Sequence, residues 1–189
     1  MDKVYKCLGT SNHCPDKREQ HDFYATDPDA IDALLSVETF QNDVWECCCG
    51  EGHLSKRLEE NGYNVFSSDL IDRGYGHVHD FMDTQIPWRG DIISNPPYSS
   101  ADEFTEKALS VIKTGAKAAF FLKLQFLEGQ KRRKLYDVSP PCRVHVFSKR
   151  MKCAKNGRFD LMKGRGSAIA YAWFVWQKGF TGQPVIGWI

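Results

Sequence analysis

Asn95-Pro96-Pro97-Tyr98 is the most specific string in the chain. The Asn95 amide oxygen and the Pro96 carbonyl are two acceptors that can converge on one group bearing N–H. The two prolines stiffen the backbone that carries them, and the Tyr98 ring offers a face for a planar partner. A second constellation, Glu46-Cys47-Cys48-Cys49-Gly50-Glu51-Gly52, puts Gly-x-Gly where a strand should hand over to a helix. Such a turn lets backbone approach a ligand closely. A dinucleotide fingerprint would need a third glycine where Ser55 stands, and no Gly-Lys-Ser/Thr phosphate loop occurs. Asp69 closes the next strand, where a carboxylate can accept hydrogen bonds from both hydroxyls of a ribose. Asp80-Phe81 then offers an acceptor and an apolar wall to a purine. These groups together point to a nucleoside ligand.

The elements that must position them alternate. Asp27-Pro28 reads as the N-cap and first position of a helix, with Ala30, Ile31, Leu34 and Leu35 at helical spacing. Strands are expected over 44–48, 63–67, 91–94 and 116–122, and helices over 54–60, 102–113 and 128–136. That order argues for an α/β fold with a parallel sheet and helices on both faces. Residues 143–147 and 168–176 are strand-like with no helical pattern between them, so they are expected as an antiparallel pair appended at the end. Ligands of open α/β sheets bind at the carboxyl ends of the strands, where both motifs fall. Residues 1–22 read as an N-terminal arm, and 23–189 as one catalytic domain carrying a basic insertion over 149–165.

Composition narrows the classes. A chain of 189 residues with 42% hydrophobic and 26% charged residues buries an ordinary core. The longest apolar run, Ala168 to Trp176, is too short to span a bilayer, and the first residues lack a signal peptide's apolar stretch. Seven cysteines, three of them consecutive, make a poor disulfide framework. The expectation is a cytoplasmic protein with reduced thiols. The net charge of +1 hides a segregation: residues 1–130 hold 12 Lys/Arg against 22 Asp/Glu, and residues 131–165 hold 12 against 2. A local excess of this size points to a polyanion.

The chain resembles the S-adenosylmethionine-dependent amino methyltransferases, and most closely the small phage-type DNA N6-adenine methyltransferases. The resemblance runs from Phe23-Tyr24-Ala25-Thr26-Asp27-Pro28 through the Glu46–Gly52 loop and Asn95–Tyr98 to Trp173-Phe174-Val175-Trp176. It implies a Rossmann-like class I methyltransferase sheet, S-adenosylmethionine as cofactor, no metal, and transfer to the N6 amine of adenine in DNA. It also implies a bacterial or phage-infected host cell, near the nucleoid. By the same resemblance Tyr24, Ala25 and Thr26 contact the methionine part of the cofactor, and Glu46, Cys48 and Gly50 line its middle. Asp69 holds the ribose, Asp80 and Phe81 the adenine, and Asn95, Pro96, Pro97 and Tyr98 form the catalytic loop. No counterpart of the long C-terminal recognition domain of the family's larger members is expected in these residues. The segment with Lys149, Arg150, Lys152, Lys155, Arg158 and Phe159 is expected to bind substrate in its place.

Other readings compete. Pro141-Cys142 is similar to the nucleophile motif of cytosine-C5 methyltransferases but comes too late in the chain. Cys7, His13, Cys14 and His21 lack the spacing of a zinc finger. His77 and His79 look like alternate-face residues of a strand, and Tyr171, Trp173, Phe174 and Trp176 like core. RNA adenine methyltransferases and enzymes that methylate glutamine of release factors carry related strings, and a non-catalytic nucleic-acid-binding module is the rival from another class. Sequence sets no oligomeric state.

Overall fold

The computed structural model describes residues 24–155 and 169–189, and at residues 24, 154 and 155 the backbone alone. The arm 1–22, Arg158 and Phe159 therefore lie outside the described residues. The chain begins with β1 (Tyr24–Thr26) and α1 (Asp29–Leu35), followed by β2 (Asp43–Glu46), α2 (His53–Glu60) and β3 (Asn64–Asp69). Next come β4 (His77–Val78), β5 (Asp91–Ser94), α3 (Ala101–Val111), β6 (Lys117–Lys123) and α4 (Gln130–Val138). The last elements are β7 (Arg143–Val146), β8 (Cys153–Lys155), β9 (Tyr171–Gln177) and β10 (Val185–Trp188). Helix α1 starts later than expected, with Pro28 at the cap position. Asp27 still serves the turn, its Oδ1 accepting from the Asp29 N–H at 3.2 Å.

Among the described residues, eight strands form one sheet in the order β10-β7-β9-β6-β5-β2-β3-β4. The β4-β3-β2-β5-β6 run is parallel throughout. Strand β9 is antiparallel to both β6 and β7, inserted between them rather than appended outside, and β10 adds a parallel edge strand to β7. The expected antiparallel pair thus exists, with β9 as its inner member.

Side chains on the central strands alternate between two cores, as the period-2 pleat requires. Ile92, Ala118, Phe120, Phe174 and Trp176 face α3 and α4, while Ile93, Ala119, Phe121, Trp173 and Val175 face α1 and α2. Both faces of the sheet are covered, which explains why these strands read as nearly continuous apolar runs. The aromatic run of β9 is core, as expected.

A buried ionic cluster ties the α1–β2 connection to this frame. Glu38, only 5% exposed, meets Lys117 Nζ at 2.8 Å, Arg143 Nη2 at 2.9 Å and His145 Nε2 at 2.9 Å. Burial would raise its pKa, but the hydrogen bonds from His145, Arg143 and Lys117 outweigh it and hold the carboxyl well below the usual range.

Candidate active site

Because β2, β3, β5 and β6 are parallel, their C-terminal ends share one edge. There the chain presents the loop after Glu46, the carboxylate of Asp69, the Asn95–Tyr98 string and Lys123. A cavity of about 460 Å³ lined by Thr39, Phe40, Arg89 and Lys113 opens at the opposite edge. None of the residues singled out in the two sequence motifs lines it.

The glycine loop is closed from inside. Gly50 and Gly52 have positive φ (54° and 80°), a backbone shape that side chains disfavour. The Cys49 N–H donates to Ser68 O at 2.9 Å, the Gly50 N–H to Asp69 Oδ2 at 2.8 Å, and the Gly52 N–H to Cys49 O at 2.8 Å. Asp69 also accepts from the Ile71 N–H at 3.0 Å. The carboxylate expected to hold a ribose therefore holds the loop as well.

Glu46 departs from its expected place along the cofactor. It is 2% exposed and turned under the loop, where Ser55 Oγ donates to its Oε2 at 2.5 Å and Ser67 Oγ donates to Ser55 Oγ at 2.7 Å. Burial raises the Glu46 carboxyl; both Ser55 hydrogen bonds, side-chain and backbone, oppose this, and the Asp69 charge adds to it, leaving the group at about 8. The acid is thus neutral at pH 7 and sits at the N-terminal turn of α2. Ser55 stands where a dinucleotide fold has its third glycine because its hydroxyl completes this chain.

Two consequences follow for a ligand. A pyrophosphate needs free loop N–H groups and an open helix N-terminus, and here the Cys49, Gly50 and Gly52 amides are committed and Glu46 sits against Ser55 in the first turn of α2. What the edge offers instead is the Asp69 carboxylate and apolar surface, which fits a nucleoside carrying positive charge. Leu70, directly after Asp69, is 55% exposed. It is an exposed apolar side chain directly beside that carboxylate. Phe81 itself is 2% exposed, with its ring centroid 5.1 Å from that of Trp45 and 5.5 Å from that of Phe104, so it is core. Asp80 stays near the surface, and its Oδ1 caps the turn at 81–83 by accepting from Met82 N–H.

Tertiary pairing assembles the Asn95–Tyr98 loop. Strand β1 pairs antiparallel with β8 in the register Thr26↔Cys153. Thr26 is buried and its Oγ1 accepts from Asn95 Nδ2 at 2.8 Å. Ala25 is buried too, and both residues sit beside the Asn95–Tyr98 loop. Tyr98 is half-buried, with its hydroxyl 3.7 Å from Cys153 Sγ. Burial first, and then Cys153 and Tyr171, push its phenol well above the ordinary value, so it stays neutral.

The basic segment begins at this loop. Lys149 Nζ reaches Asp29 Oδ2 at 3.3 Å, Arg150 is exposed, and Lys152 O accepts from the Asp27 N–H at 3.1 Å. Lys155, whose side chain is not described, ends β8 opposite Tyr24.

The thiols of Cys48, Cys49, Cys142 and Cys153 stay protonated. Burial raises Cys49 to about 12, Cys153 to about 11, and Cys48 and Cys142 above their ordinary value. Cys142 is buried and donates to Val175 O at 3.1 Å, which leaves no thiolate for a cytosine-C5 mechanism. No group of His, Cys, Asp and Glu suited to a metal occurs among the described residues. None of the helices among those residues is long and apolar enough to cross a membrane.

No protein-family model matches the sequence, and no curated protein sequence does. The fold has solved counterparts. A candidate class I S-adenosylmethionine-dependent methyltransferase of Listeria monocytogenes aligns with a TM-score of 0.57 over 96% of this chain and 68% of its own, at 11% identity. A candidate RNA methyltransferase of Pyrococcus horikoshii gives 0.54 over 80% of this chain and 82% of its own, at 15% identity. The type IIG restriction endonuclease BpuSI gives 0.52 over 81% of this chain and 24% of its own, at 13% identity. The fold is therefore the Rossmann-like fold of the class I S-adenosylmethionine-dependent methyltransferases.

Proposed function

We propose that this protein transfers a methyl group from S-adenosylmethionine to the exocyclic N6 amine of adenine in DNA. The observation that carries this is the Asn95–Tyr98 string at the end of β5, with its asparagine held by Thr26. The cofactor supplies an electrophilic methyl group on a sulfonium. Asp69 is the acceptor for its ribose, Leu70 packs against its base, and the loop with the neutral Glu46 tolerates its positive charge.

An adenine amine donates its lone pair into the ring and is a poor nucleophile. Asn95 Oδ1 and the Pro96 carbonyl, each accepting one N–H, favour a tetrahedral nitrogen whose lone pair is free to attack in line. This is positioning with electrostatic stabilisation and needs no covalent intermediate. Pro97 stiffens the loop, and Tyr98 supplies a face for a base taken out of its stack. The basic segment from Lys149 onward positions the backbone through phosphate contacts, which set register without reading sequence. An RNA adenine is the second reading, favoured by the P. horikoshii counterpart. The basic segment argues against a protein glutamine.

The test is transfer of labelled methyl from S-adenosylmethionine to DNA and RNA offered in parallel, with the labelled base identified. Label in N6-methyladenine of DNA is the expected result. Asn95→Ala should abolish it while cofactor affinity stays within a few-fold. Label in neither nucleic acid, or near-normal turnover by Asn95→Ala, refutes the reading; label in RNA alone moves the substrate to RNA.

A further inference from the structure

The Tyr98 ring is already occupied on one face. Lys123, the last residue of β6, holds its Nζ 4.2 Å from the ring centroid. Strand β6 runs parallel beside β5 in the register Ser94↔Phe120, so Lys123 and the Asn95–Tyr98 loop emerge at the same edge. The rest of the ring's surroundings is interior: Cys153 at its hydroxyl, the Tyr171 ring at 6.2 Å, and both core clusters. The face under Lys123 is the one a base can reach.

Lys123 is half-buried, and among the described residues no carboxylate lies within 4.0 Å of its ammonium. Lys117, at the other end of the same strand, is by contrast committed to Glu38 at 2.8 Å. A cation partly withdrawn from water and resting on a π face is held more weakly than one paired with an anion.

Building on the nucleic-acid reading above, we propose that Lys123 is a substrate-binding residue. Its ammonium leaves the Tyr98 face when the adenine stacks there, and pairs with the backbone phosphate beside that nucleotide. The exchange is one cation–π contact for one base–tyrosine stack and one phosphate contact, with no bond made or broken. A flexible four-carbon stem with three donors at its tip suits such a swing. Lys123 would thereby place a phosphate contact at the catalytic loop itself, whereas Lys149 and Arg150 act at the start of the basic segment.

The test compares the parent with Lys123→Met, which keeps the apolar stem over the ring and removes the charge, and with Lys123→Arg. Binding of mixed-sequence duplex DNA is measured by fluorescence anisotropy over a salt series, and S-adenosylmethionine binding by calorimetry. Lys123→Met is expected to lower DNA affinity about tenfold at low salt and to flatten the slope of log affinity against log salt by about 0.9, the value of one phosphate contact. Lys123→Arg restores the slope, and cofactor affinity is unchanged in both. A residue that merely supported the Tyr98 ring would leave the salt slope alone. If the parent methylates DNA and Lys123→Met keeps its slope and affinity, the Lys123 assignment falls while the methyltransferase reading stands. If the parent neither binds nor methylates nucleic acid, both fall. Should Lys123→Met fail to fold, Lys123→Gln carries the same comparison.

Discussion

Replacing Glu46 by glutamine should change how stability depends on pH, because the acid carries its proton in the folded protein and loses it on unfolding. Its carboxyl titrates near 8 when folded, against an ordinary value of 4.5. Below the ordinary value both states are protonated and the site contributes no pH dependence. Between the two values only the folded state holds the proton, so stability falls by about 1.4 kcal/mol per pH unit. The full loss, complete above pH 8, is roughly 5 kcal/mol, a large share of the 5–15 kcal/mol typical of a folded domain. Glutamine occupies the same volume, keeps an oxygen for the Ser55 hydroxyl at the Oε2 position, and cannot ionise. Glu46→Gln and the parent should therefore be within about 1 kcal/mol of each other at pH 5, the scale of one hydrogen bond. The variant should then pull ahead steadily up to pH 8. Urea unfolding at half-unit steps, followed by tryptophan fluorescence, measures this difference with every shared titration cancelled. A difference that stays flat from pH 5 to 8.5 would mean that Glu46 ionises normally, and the account of the sealed loop would be wrong.

Asp69→Ala should weaken S-adenosylmethionine binding at least tenfold in calorimetry. It should also lower stability, since the Gly50 and Ile71 amides lose a charged acceptor and such bonds are worth about 1.5–3 kcal/mol each. Unchanged affinity in the folded variant would remove Asp69 from the ribose site. Glu38→Gln should cost about 3–5 kcal/mol at pH 7, because it leaves Lys117, Arg143 and His145 without their shared anion. Glu38's depressed pKa adds stability that is present above its ordinary value and lost as pH falls through the folded one. The parent–variant gap should therefore close in acid unfolding series, and a pH-independent gap would contradict the ionic account.

Local pattern determined much of this protein. Strand β5 lies where the run Asp91–Ser94 places it, since Ile92, Ile93 and Ser94 ahead of Asn-Pro-Pro cannot continue as a helix. The positions of the glycine loop, Asp69 and Asn95–Tyr98 at strand ends follow from the same alternation of periods, and they put the chemistry on one edge. Hydrophobicity is a local property, but burial depends on what lies opposite. Phe81 reads equally well as a purine wall or as core, and Trp45 and Phe104 decide for core. Glu46 ends its strand as a cofactor contact would, but Ser55, backed by Ser67, holds it inward, and burial keeps it protonated. The insertion of β9 between β6 and β7, the grip of Thr26 on Asn95 and the Lys123 ammonium over Tyr98 join residues far apart in sequence. Periodicity carries no information about such partners, because contacts at long separation are selected by the packing of the whole sheet rather than by the residues on either side.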